Sequence, residues 1–252
     1  MKLIKTLVVT AIVLLGGLTG CAPANGEASL TVLVTGANRG LGLEFARQFH
    51  ERGYQVIGTA RKPGSAEELK ALGVRVEQLD VTDAGSVKAL AERLSDLPID
   101  ILINNAGISG HGPASFLEHD FDQLGFTFEV NSLGPMRVTQ ALFPNLESGD
   151  AKKVVHITSR MGSIELNGGG YYGYRASKAA LNMLNKSLSA ELGAQGFVCV
   201  VLHPGWVQTD MGGPNATLTP QQSIAGMIRV IDGLDSASNG GFFDYQGEEI
   251  PW

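Results

Sequence analysis

Seven short apolar runs recur along the chain, and between several of them apolar residues fall at helical spacing. Residues 31–35, 54–59, 74–79, 101–103, 153–158, 197–202 and 241–245 are short and rich in β-branched or aromatic side chains, as buried strands are. Residues 41–51, 84–97 and 174–192 read as helices; in the second, Val87, Leu90, Ala91 and Leu94 share one face. Strands separated by helices imply right-handed crossovers and a parallel sheet covered on both sides. The pattern therefore predicts one α/β domain over residues 30–252. Its core is a doubly wound, mostly parallel seven-stranded sheet with helices on both faces. Ligands of such sheets bind outside the carboxyl ends of the strands.

The start of the chain follows another pattern. Lys2 and Lys5 precede an apolar stretch from Leu7 to Leu18, which runs into Leu18-Thr19-Gly20-Cys21. A positive start, a short apolar core and small residues before a cut site describe a secretory signal. The stretch is well under the roughly 20 residues that a membrane-spanning helix needs. Its last four residues resemble a bacterial lipobox, in which the cysteine is lipidated. The expectation is a signal peptide over 1–20, a flexible tether over 21–29, and a protein held at the cell envelope by a lipid on Cys21. A cytoplasmic protein is the alternative.

Composition narrows the field. The 252 residues suffice for one sizeable domain, and a net charge of −6 without a Lys/Arg block argues against a nucleic-acid partner. Two cysteines make no disulfide framework; Cys199, in an apolar run, reads as a small buried hydrophobe. No His, Cys, Asp and Glu cluster has metal-ligand spacing, so no metal is expected. His111, His156 and His203 read as structural. The 33 glycines follow no repeat and point to tight turns.

One glycine group carries chemistry. Thr35-Gly-Ala-Asn-Arg-Gly-Leu-Gly42 follows the first strand and opens the first helix. Gly36, Gly40 and Gly42, with Asn38, Arg39 and Leu41 between them, would let the backbone approach a pyrophosphate at the helix N-terminus, as in a Rossmann fold. The second strand ends in Ala60-Arg61-Lys62, where an NAD site usually has an acid for the ribose hydroxyl. Arg61 can clamp a 2′-phosphate, and Arg39 can approach the same group, so NADP(H) is expected over NAD(H).

Further motifs follow in order: Leu79-Asp-Val81, Asn104-Asn-Ala-Gly107, Tyr174-Arg-Ala-Ser-Lys178 and Pro204-Gly-Trp-Val-Gln-Thr209. With the glycine loop they resemble the short-chain dehydrogenase/reductase superfamily from Thr31 to Trp252. Ser159-Arg-Met-Gly-Ser163, Gly170-Tyr-Tyr-Gly-Tyr174 and the ending Asp244-Tyr-Gln-Gly-Glu-Glu-Ile-Pro-Trp252 are more narrowly similar to the sniffer/C-factor carbonyl reductases.

The resemblance implies Asp80 and Val81 near the adenine, Asn105, Ala106 and Gly107 past the ribose, and Pro204, Gly205, Val207 and Thr209 around the nicotinamide. It also implies a tetrad of Asn131, Ser159, Tyr174 and Lys178 that reduces or oxidises a small carbonyl/alcohol pair. Tyr174 would be the acid/base, with Lys178 lowering its pKa and reaching the nicotinamide ribose. Ser159 would polarise the substrate oxygen, and Asn131 would support Lys178 through water. Fifteen positions separate Ser159 from Tyr174 where about thirteen are usual, which suggests an insertion in 167–170 and leaves Ser163 as a rival. Ser109, Trp206 and Met211 neighbour these motifs and are candidates for the substrate pocket. Homodimers and homotetramers, as well as monomers, are compatible with the resemblance. A reading of another class is a non-catalytic, membrane-tethered NADP(H) sensor or signalling protein.

Overall fold

A computed structural model describes residues 29–110 and 115–252. The expected signal peptide, Cys21 with nearly all of the tether, and His111 lie outside the described residues. The strands are β1 (Thr31–Val34), β2 (Gln55–Ala60), β3 (Arg75–Gln78), β4 (Ile101–Asn104), β5 (Lys153–Ile157), β6 (Val198–His203) and β7 (Phe242–Asp244). They form one sheet in the order β3-β2-β1-β4-β5-β6-β7, and every pairing is parallel. The expected seven strands are present, and the sheet is wholly rather than mostly parallel.

The helices are α1 (Gly40–Glu51), α2 (Glu67–Ala71), α3 (Ala84–Arg93), α4 (Phe121–Phe128), α5 (Gly134–Ala141), α6 (Phe143–Glu147), α7 (Tyr172–Leu192) and α8 (Pro220–Gly233). Alternation along the strands splits the core in two. Val32 and Val34 of β1 face Phe45 and Phe49 of α1 and Met227 and Ile231 of α8. Leu33 faces the other way, with Leu90 of α3, Val138 of α5, Leu146 of α6 and Leu192 of α7. Because both faces are covered, the strands read as unbroken apolar runs.

Of these helices, α2, α4, α5, α6 and α8 do not stand out in the apolar pattern. Helices α4 and α5 are one rod interrupted by a π turn at Glu129–Leu133 and then by Gly134-Pro135, so no single period runs through them. Helix α8 does carry a start signal: Thr219 and Gln222 form a reciprocal capping box, with Pro220 in the first turn.

The chain reverses across the sheet between β1 and β4, which opens a crevice at their carboxyl ends. The opposite end is tied by a buried carboxylate. Asp100 accepts from the amides of Thr31 (2.7 Å), Asp150 (2.8 Å) and Ala151 (3.2 Å), joining the starts of β1, β4 and β5.

Candidate active site

The glycine loop leaves β1 at Thr35, whose hydroxyl accepts from the amides of Asn105 and Ala106, both at 3.0 Å. The Asn105 side chain donates back to the carbonyls of Thr35 (2.9 Å) and Gly36 (3.2 Å), locking the loop to the end of β4. Gly36 and Gly40 have φ of 65° and 56°, the left-handed region that glycine adopts freely. A Cβ on Gly42 would collide with the Gly36 carbonyl oxygen and lie 2.6 Å from Asn105 Nδ2. No side chain caps α1, so its first-turn amides face the crevice open. This cradle fits the pyrophosphate of a dinucleotide.

Around it lie the other expected groups. Arg39 reaches across the crevice to Asp210, 2.5 Å away, in an exposed pair of the kind that contributes little and exchanges readily. Arg61 stands at the end of β2. Burial would raise the Asp80 carboxyl, but hydrogen bonds from the Thr82 hydroxyl and amide outweigh it; with the Arg61 charge they hold the group below the usual carboxylate range. Gly205 has φ 81°, and Thr209 Cγ2 would sit 3.7 Å from a Cβ on Gly40, so the loop after β6 closes over the glycine loop. Val207 pairs with Leu218 in an isolated bridge.

The tetrad residues converge at the ends of β4 and β5. Tyr174 lies in the first turn of α7, on the side of the Ser159 hydroxyl just past the end of β5. Burial pushes the Tyr174 phenol up, and the nearby Ser159 hydroxyl pulls it part of the way back. One helical turn on, Lys178 places its ammonium 5.9 Å from the Tyr174 ring centre and donates to the Ile157 carbonyl at 2.8 Å. Burial lowers the Lys178 pKa to about 8.

Asn131 sits fully buried in the π turn. Its Oδ1 accepts from the Ile108 amide (2.8 Å), and its Nδ2 donates to the Ile108 carbonyl (2.9 Å) and to Ser177 Oγ (3.1 Å). Ser132 Oγ donates to the Ser177 carbonyl at 2.7 Å. Ser177 and Ser132, which dock the π turn on α7, were not marked out by the sequence, because their bonds run between elements and leave no spacing signal.

Ser163 has other partners. Its hydroxyl accepts from the Leu166 amide (3.1 Å) and donates to the Trp252 carbonyl (3.3 Å), while it is the Ser159 hydroxyl that acts on the Tyr174 phenol. Two of the expected structural histidines are neutral, His156 fully buried and His203 half-buried. Burial, then the Lys178 charge, drops His156 to about 3; burial drops His203 to about 4, with Arg160 adding and Asp244 opposing. The Asn104 amide group donates to His156 Nδ1 at 3.2 Å. Of the expected pocket residues, Trp206 and Met211 are exposed beside the crevice, and the Trp206 ring nitrogen donates to the Gly212 carbonyl at 2.8 Å.

Residues 30–218 match the family model for short chain dehydrogenases. The chain belongs to that family. Among the relatives of this short-chain dehydrogenase is the protein named C-signal of Myxococcus xanthus, 54% identical over 167 residues, which are 66% of this chain and all of that one. The Sniffer carbonyl reductase of D. melanogaster superposes with a TM-score of 0.84 at 32% identity, covering 89% of this chain and 100% of that one. An NADPH-bound carbonyl reductase from chicken fatty liver gives 0.81 at 33% identity, covering 90% and 100%. This short-chain dehydrogenase is thus an oxidoreductase of the sniffer/C-factor type.

Proposed function

We propose that the protein is an NADP(H)-dependent carbonyl reductase, passing hydride between the nicotinamide and a small carbonyl or alcohol. One observation carries this reading: Ser159, Tyr174 and Lys178 meet at the strand ends beside the glycine cradle. Bound NADPH would supply the hydride; the 2′-phosphate would lie by Arg61 and Arg39, and the pyrophosphate at Gly36–Gly42.

The chain's own groups then manage the proton. Ser159 Oγ donates to the substrate oxygen and polarises the carbonyl, and Tyr174 protonates that oxygen as charge develops on it. A free tyrosine near pKa 10 gives up a proton slowly at neutral pH. The nearby Lys178 cation favours the phenolate that Tyr174 becomes when it gives up that proton. Asn131 holds the π turn against α7, which keeps Lys178 beneath Tyr174.

Titration with NADPH and NADH, followed by nicotinamide fluorescence, tests the cofactor. Tighter binding of NADPH is expected, and Arg61→Ala should weaken NADPH roughly tenfold while sparing NADH, the loss of one charge-assisted hydrogen bond. Tyr174→Phe should bind NADPH as before and reduce carbonyls at least about a hundredfold more slowly. An unaltered rate in that variant removes Tyr174 from the chemistry; equal affinity for both cofactors removes the NADP(H) preference. The lipobox-like segment supports a further part of the proposal, attachment to the cell envelope through Cys21.

A further inference from the structure

Ser163 and the last residues of the chain take no part in the site above, yet they meet beside it. After β7 the chain turns at Asp244, whose carboxylate accepts from the amides of Gln246 (2.8 Å) and Glu248 (3.1 Å). It then returns along β7, with the Asp244 amide donating to the Glu248 carbonyl (2.9 Å) and the Ile250 amide to that of Phe242 (2.8 Å). The Trp252 ring packs on Phe242, centroids 5.4 Å apart, with the Lys186 ammonium 5.5 Å from its own centre. So anchored, the Trp252 carbonyl oxygen accepts from the Glu165 amide (3.0 Å) and from Ser163 Oγ (3.3 Å).

Both donors lie in the loop 159–166, which begins at Ser159. Helix α7 holds one side of that loop: a Cβ on Gly162 would come within 2.9 Å of Lys178, and Asn182 donates to the Gly162 carbonyl at 3.3 Å. The other side lacks close packing. There a cavity of about 230 Å³ is bounded by Arg160 and Leu166 from the loop, and by His203, Gly205, Asp244 and Tyr245 opposite. A space of that size holds several waters and gives a loop no fixed support. The return segment 248–251 forms the rest of its wall, and Trp252 just beyond is where that segment bonds the loop.

We infer that Trp252 is a positioning residue, which fastens loop 159–166 from the β7 side and so fixes Ser159 against Tyr174. This rests on the carbonyl-reductase reading. Ser159 must reach Tyr174 and the substrate oxygen at once, and a shift of about 1 Å in such a group can cost on the order of a hundredfold in rate. Ser163 then has a role distinct from polarising the carbonyl: it is the loop's half of the clip.

The test compares the full chain with its Trp252→Ala, Trp252→Phe and Ser163→Ala variants. Hydrogen exchange of the amides in 160–166 is read first, because it needs neither cofactor nor substrate. Faster exchange there in Trp252→Ala, with β1 and α7 unchanged and Trp252→Phe near wild type, is expected. With NADPH and a panel of aromatic and aliphatic aldehydes and ketones, kcat should then fall roughly ten- to a hundredfold at unchanged cofactor Kd and little-altered KM. Phe at 252 should restore it. Should Trp252→Ala not fold, Ser163→Ala carries both readouts. Unchanged exchange in 160–166 overturns the clip, and faster exchange with unchanged kcat overturns the positioning role. A wild-type protein that binds NADPH but reduces no carbonyl overturns the carbonyl-reductase reading instead, and exchange still decides whether the clip exists.

Discussion

Lys178 holds its ammonium where charge is poorly tolerated. It is buried beneath Tyr174 with the Ile157 carbonyl as its hydrogen-bond acceptor, and its pKa falls from 10.5 to about 8. Between those values the unfolded chain keeps a proton that the folded chain has lost, so stability from this group rises with pH across that window. Below about 8 the burial penalty is present in full. Lys178→Met should therefore melt higher than wild type at pH 7, by a margin that shrinks by pH 10, while losing activity. Thermal melts at both pH values with a rate assay check this; a variant that melts lower at pH 7 refutes it. The residue types of the site were legible in the sequence, Tyr174 and Lys178 above all, because one helical turn fixes their relation. The choice between Ser159 and Ser163 was not, because the glycines of 168–170 leave the loop length free. Only the fold shows Ser163 turned to Trp252.

At the scale of elements, the π turn at Glu129–Leu133 decides how α4 and α5 meet α7. Widening the helix by one residue there aims Asn131 at β4's exit, where it satisfies both the amide and the carbonyl of Ile108. Asn131→Ala would leave those two backbone groups without side-chain partners, at a cost of about 1–3 kcal/mol for each group that stays buried and unpaired. The expected result is an unfolding free energy lower by roughly 2 kcal/mol, read from urea unfolding, together with slower turnover. A loss near zero would mean that the turn holds itself. The strands and the three helices with regular faces were readable from periodicity, since Val32, Leu33 and Val34 alternate between two cores. The π turn was not, because it breaks the period that makes a helix visible. Helix α8 was readable in principle from Thr219, Pro220 and Gln222.

For the whole molecule, the polarity of the sheet bears on where an anchor could pull. Every strand is parallel, so the proposed cofactor and catalytic groups gather at one end, and the chain enters β1 at the other. There Ser29 Oγ donates to the Gly53 carbonyl at 2.5 Å and the Thr31 amide to Asp100, which pins the entry. A tether over 21–29 spans at most about 30 Å when extended. A lipid on Cys21 would therefore hold the protein by the end of the sheet away from the crevice and leave cofactor access alone. Cys21→Ser should then move the protein from the membrane to the soluble fraction while its NADPH affinity stays at the wild-type value. A variant that still sediments wholly with membranes removes Cys21 as the anchor. One that is released but binds NADPH more weakly would mean that the tether reaches the site, against the direction in which β1 leaves it.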